Sequence, residues 1–103
     1  MASGLLGSAD LTAATYTTLY TVPAATTASF SVCFTNRSAT MTTVRLAIAA
    51  TGTPANSEFV TYDFVLQGNA SYERTGLVAQ TAKNVVVYAA AANVTALAYG
   101  YEG

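Results

Sequence analysis

Along residues 27 to 35 hydrophobic and polar positions alternate without a break, Phe30, Val32 and Phe34 against Ser29, Ser31, Cys33 and Thr35. A period of two marks a half-buried β-strand, because successive side chains leave a strand on opposite faces. The rhythm returns in Thr43 to Ala49, where Val44, Leu46 and Ile48 oppose Arg45, Ala47 and Ala49. In Ser57 to Leu66 it predicts Val60, Tyr62, Phe64 and Leu66 on one side, with Phe59, Thr61, Asp63 and Val65 on the other. Thr15 to Val22 is dense in β-formers and stops at Pro23. Ala70 to Ala79 predicts a weaker strand with a bulge near Gly76. Asn84 to Ala90 is apolar on both faces, which predicts a central strand. Val94 to Tyr101 is the last, expected at a sheet edge or against a partner.

Turn chemistry separates these runs: Asn36-Arg37-Ser38-Ala39-Thr40, Thr51-Gly52-Thr53-Pro54-Ala55-Asn56, Gln67-Gly68-Asn69 and Asn93. No segment shows a period of 3.6, and the four residues Ala89 to Ala92 are too short a tract to stand as a helix. The prediction is an all-β chain, a single antiparallel β-sandwich of about seven short strands over residues 14–103. Residues 1–13, with Gly4 and Gly7 and no period, predict a flexible N-terminal arm carrying a Leu5-Leu6 sticker.

Composition turns attention from chemistry to contact. The chain has 103 residues, enough for one domain. It is 52% hydrophobic but only 9% charged, with a formal net charge of −1. Soluble domains average roughly 25% charged residues. So weakly charged a surface is suited to being covered by other subunits. Arg37, Arg45, Arg74 and Lys83 are scattered, whereas nucleic acid binding needs clustered cations. No apolar run approaches the roughly 20 residues of a membrane-spanning helix. The N-terminal residues lack the basic and apolar regions of a signal peptide, which predicts synthesis and retention in a cytoplasm.

Catalysis finds few tools. Histidine is absent, so a Ser or Cys nucleophile has no ordinary general base. Lys83, the sole lysine, falls in a polar turn, which speaks against a Ser-Lys scheme. One cysteine and no histidine serve zinc poorly. The acids Asp10, Glu58, Asp63, Glu73 and Glu102 stand singly, without a calcium loop or a paired-carboxylate spacing. No glycine-rich phosphate loop occurs. The reading is a non-enzyme with no cofactor, no metal and no catalytic residues. The seven tyrosines fall in predicted strands, where an apolar ring with a polar tip suits a subunit interface or a sugar-stacking face. Leu5, Leu6, Tyr16, Tyr20, Tyr99 and Tyr101 are the candidate contact residues.

The run Leu19-Tyr20-Thr21-Val22-Pro23-Ala24, followed by Asn36-Arg37-Ser38-Ala39-Thr40 and the strand Val44 to Ala49, resembles a group of small tailed-bacteriophage virion proteins. Tyr62-Asp63 and the valine-rich stretch Val85 to Ala89 extend the likeness across residues 12 to 101. In that group a cysteine usually stands just before the Asn-Arg turn, whereas Cys33 comes three residues earlier than Asn36. The resemblance implies a virion structural protein, foremost a capsid decoration (cement) protein bound outside the assembled head. The alternative is a tail, baseplate or fibre-associated module, with a possible glycan ligand. Expected partners are further copies of the chain, as dimer or trimer, and the major capsid protein or other virion proteins, with no nucleic acid and no membrane. The expected location is the virion surface, after synthesis in the host cytoplasm.

Overall fold

The computed structural model describes residues 3–103. Among them eight strands form: β1 (Ser3–Leu11), β2 (Thr17–Thr21), β3 (Ala28–Asn36), β4 (Thr42–Ala49), β5 (Phe59–Leu66), β6 (Ser71–Ala79), β7 (Asn84–Ala89) and β8 (Val94–Glu102). A single 3-10 turn, Asn56–Glu58, precedes β5. Sheet A has the order β1-β8-β3-β6 and sheet B the order β2-β7-β4-β5, with every pairing antiparallel. The chain crosses between sheets at each connection except the β4–β5 hairpin. That order is the double-sheet jelly roll.

The seven strands expected from the alternation are all present, and the valine-rich β7 is central. The eighth comes from the segment read as an arm. Residues 3–11 pair along their length with β8, so β1 is an edge strand of the sandwich, while Met1 and Ala2 lie outside the described residues. Gly7 makes this possible, because a Cβ there would sit 2.2 Å from the Leu19 carbonyl oxygen of β2. With β1 on one side of it, β8 is flanked on both sides by strands of its own chain, which corrects its expected place at an edge.

The core lies between the sheets. Phe30, Val32 and Phe34 of β3 pack with Val44 and Leu46 of β4 and Val85 and Val87 of β7 in one core, while Gly100 and Ala96 of β8 stand opposite Phe30 and Phe34 and Ala98 opposite Val32. Ala47, Ala49 and Val86 are buried as well, but outside that cluster. Their side chains point to the outer face of sheet B. There the 50–58 segment folds back across them, with Gly52 reaching Thr18 of β2 and the Ala50 carbonyl accepting from Asn84. Glu58 pins this segment: its carboxylate accepts from the backbone N–H groups of Ala55 at 2.8 Å and Ala50 at 3.0 Å. Those two bonds, Ala55 first, hold the Glu58 carboxyl below its ordinary range.

At one end of the sandwich Asn36 is buried, with its side-chain amide fully engaged. Nδ2 donates to the carbonyls of Thr40 at 2.9 Å, Gln67 at 3.2 Å and Leu66 at 3.4 Å, and Oδ1 accepts from the Ser38 N–H at 3.0 Å. One side chain thus closes the polar turn after β3 and ties it to the end of β5. At the other end Tyr20 of β2 donates its hydroxyl to the Glu102 carboxylate of β8, linking the two sheets. Burial, then the Glu102 hydrogen bond and charge, raises the Tyr20 pKa above the ordinary tyrosine value.

A raised folded-state pKa contributes stability that is whole below the unfolded tyrosine value of about 10 and is lost as pH climbs toward the folded value. Tyr20→Phe is therefore expected to cost roughly 1.5–3 kcal/mol at neutral pH, the range for hydrogen bonds to charged groups. It should also flatten the fall in stability above about pH 10. Urea unfolding across pH 7 to 11 measures both; an unchanged alkaline slope would contradict the assignment.

Candidate interaction surfaces

Every edge strand carries a register irregularity with its extra residue on the edge side. In β1 it lies between Leu5 and Gly7, in β2 between Thr18 and Tyr20, in β6 between Arg74 and Leu77, and in β5 between Thr61 and Phe64. Bulges twist an edge and break its line of free backbone groups, so they discourage strand addition from another molecule. The expected bulge near Gly76 is the one in β6, where Gly76 has φ of +72°. The sheet faces are the broader surfaces that remain open.

The outer face of sheet A is built from the alternate residues of its strands. Cross-strand register sets Leu5 beside Tyr99 and Ser31, Ser3 beside Tyr101, Ser29 and Val78, and Ser8 beside Leu97, Cys33 and Glu73. Three candidate residues meet here: Leu5 and Tyr101, 62% and 61% exposed, and the half-buried Tyr99. Val78, 60% exposed, joins them. Between the tyrosines and Val78 runs a shallow groove of about 320 Å³ whose lining, Ser29, Ser31, Gly76 and Gly100 included, carries no ionic group. Cys33, expected on the polar side of its strand, lies half-buried on this face.

Leu6 and Tyr20 go elsewhere. The β1 bulge turns Leu6 inward, where both it and Tyr20 pack on the core. Both are half-buried and stand apart from the surface that carries Leu5, Tyr99 and Tyr101. Tyr16 stands just before β2 on the outer side of sheet B, in a cluster that sequence reading missed. Its ring centroid is 4.9 Å from that of Tyr88 and 6.2 Å from that of Phe59. Arg45 lies in the middle, its guanidinium 4.3 Å from the Tyr62 ring centre and 4.5 Å from that of Tyr88. Nε donates to Asp63 at 2.6 Å and Nη1 to the Tyr16 hydroxyl at 2.8 Å. Chiefly through the Asp63 bond, the Arg45 pKa is held above the usual guanidinium value.

The β5 bulge explains why Tyr62 and Asp63 can both attend Arg45. Strict alternation sends them to opposite faces, but Asp63 takes φ of +50° and both become exposed. Aspartate is among the few residues that tolerate this region. The same bulge breaks the expected grouping of Val60, Tyr62, Phe64 and Leu66 on one side: Leu66 is buried and Val60 packs on the core, Thr61 is buried too, and Tyr62 and Phe64 are exposed. Phe64 turns to the side of the sandwich and stacks on Tyr72 of β6 at 3.9 Å between ring centres. With Met41 and Val65 exposed nearby, this side forms a second apolar patch, carried by sheet B.

Arg37 pairs with Asp10 at the surface, so Arg37 and Arg45 both find acids within the chain. Exposed pairs of this kind stabilise little, typically 0–1 kcal/mol. Among the described residues no three Cys, Asp or Glu side chains converge to hold a metal, and no helix is long and apolar enough to cross a membrane. No family model, curated protein or solved structure matches the chain.

Proposed function

We propose that this chain is a virion structural protein, a decoration subunit that binds the outside of an assembled bacteriophage head and stabilises it. The observation that carries the reading is the division of its exposed large hydrophobics into two separate patches. Leu5, Val78 and Tyr101 belong to sheet A, and Met41, Tyr62, Phe64 and Val65 to the β4–β5 side of sheet B. A subunit that bridges neighbours needs two adhesive surfaces, and a stable monomer rarely exposes contiguous apolar ground without a binding role. The motif resemblance supplies the viral setting. The jelly roll is in use among viral capsid domains, an analogy of fold that adds modest support.

Mechanistically, a protein that binds only the assembled shell stabilises it by mass action, adding RT ln(1 + [L]/Kd) at each site. No bond is made or broken. Mixing the purified protein with expanded empty heads of the parent phage should yield co-sedimentation that saturates at a fixed copy number. Heads pelleting without it would contradict decoration.

A tail or fibre-associated role is the second reading, favoured by the groove beside Tyr99 and Tyr101. Tyrosine faces, serine hydroxyls and an uncharged lining suit a neutral sugar. A glycan array probed with the oligomerised protein distinguishes it, since decoration predicts no hits.

A further inference from the structure

We infer that the outer face of sheet A is a homodimer interface, with two copies packed face to face about a two-fold axis along the β8–β3 seam. The inference does not rest on the decoration reading, and it competes with a sugar for the groove beside Tyr99 and Tyr101.

Four observations point to it. First, the eight outward positions of the two central strands, Ser29 to Thr35 in β3 and Thr95 to Tyr101 in β8, include no charged residue. The charges of this face stand on the flanking strands, Asp10 on β1 and Glu73 on β6. An uncharged centre with a polar rim is the anatomy of a protein interface.

Second, the face is complementary to itself. A two-fold axis parallel to the strands lays β8 of one copy over β3 of the other, and β1 over β6. Each row of the register then meets itself reversed. Tyr99 lies over Ser31, Tyr101 over Ser29, Leu97 over Cys33, and Leu5 over the Gly76 bulge. Large side chains meet small ones in these three β8–β3 rows, and in the fourth Thr95 meets Thr35. Glu73 meets Ser8 and Asp10 meets Ser71, so no like charges are opposed.

Third, the area is adequate. Four strands spaced about 4.8 Å apart and about 30 Å long bury on the order of 1,100 Å² across two copies. That clears the roughly 1,000 Å² expected of a specific interface. Fourth, the rival surfaces suit a second copy less well, and the exposed side of sheet B at Met41, Phe64 and Val65 is small. All four edges are bulged, and the outer face of sheet B is occupied by the 50–58 segment and the Arg45 cluster.

Sedimentation equilibrium of the purified chain should give twice the 10.6 kDa monomer mass. Ser31→Glu sets a carboxylate under the partner's Tyr99, twice per dimer, and should return the mass to 10.6 kDa with the β-sheet circular dichroism unchanged. Cys33 is the built-in reporter. Its modification by a thiol reagent should be slow in the wild type, fast in Ser31→Glu, and slow again in the sheet B control Met41→Glu. Should Ser31→Glu fail to fold, Tyr101→Glu, at an exposed position, reads the same loss of mass. A monomeric wild type, or a Tyr101→Glu protein with dimer mass and protected Cys33, overturns the inference. So does a neutral glycan bound in the groove by a monomer. A dimer that ignores phage heads would sink the decoration reading and leave this one standing.

Discussion

Asn36→Asp is expected to destabilise the protein by about 3–5 kcal/mol at neutral pH, the cost of a buried charge without a counter-ion. The native amide donates to three carbonyls. A carboxylate of the same shape would face those three oxygens with nothing to donate. For a chain of this length the loss lowers Tm by more than about 12 °C. The variant should regain stability in acid. Burial among carbonyls raises the new carboxyl's pKa in the folded state, so its protonated form, able to donate one bond, is favoured as pH falls toward the unfolded value of about 4. Denaturant melts at pH 7 and pH 4 check both halves. If Asn36→Asp matches the wild type at pH 7, the amide does not hold the turn to β5 as described.

Gly7→Ala is the second large effect, and it separates an edge strand from a loose arm. The added Cβ would lie 2.2 Å from the Leu19 carbonyl oxygen and 3.2 Å from its carbon, both backbone atoms that cannot rotate away. The seam between β1 and β2 must open, at about 2–3 kcal/mol, the usual range for overpacking. Hydrogen exchange should show the amides of β1 and the facing half of β8 losing protection, while β4 and β7 keep theirs. In a disordered arm the same substitution would be silent, or slightly stabilising through the unfolded chain. A silent Gly7→Ala would return residues 3–11 to the status of an arm.

Where one face of a strand is apolar and the other polar, pattern and structure agree. The inward side of β3, Phe30, Val32 and Phe34, is readable from the sequence, and so is the central place of Val85 to Val87. Residues 3–11 carry no such signal because their strand is imposed from outside. Gly4 and Gly7 have no side chain to set a period, and pairing with β8, some ninety residues away, decides their conformation. Bulges erase the pattern in β5. Alternation carried through Tyr62 and Asp63 fails because the left-handed Asp63 shifts every later residue to the opposite face.

The same two causes governed the candidate contacts. Leu5, Tyr99 and Tyr101 each carried a local hint, but only the long-range register sets them on one surface. The β1 bulge removes Leu6 from that surface, and the link to Glu102 takes Tyr20 into the sandwich. Arg45 gave no warning, since its partners Tyr16, Tyr62, Asp63 and Tyr88 come from two other strands and a loop. Asn36 had a signal that was only half used. Asparagine before Arg-Ser marks a turn, and its place at the end of an alternating strand, on the side of Phe34, could have marked its amide as buried.

Cryo-microscopy of the parent virion decides whether adhesion between sheet faces is what this protein does. The proposal predicts density for the jelly roll repeated over the head lattice, with paired copies joined through the sheets that carry Tyr99 and Tyr101. Density confined to the tail would contradict the decoration role. Single copies touching nothing through either apolar patch, or no density at all, would contradict the reading as a whole.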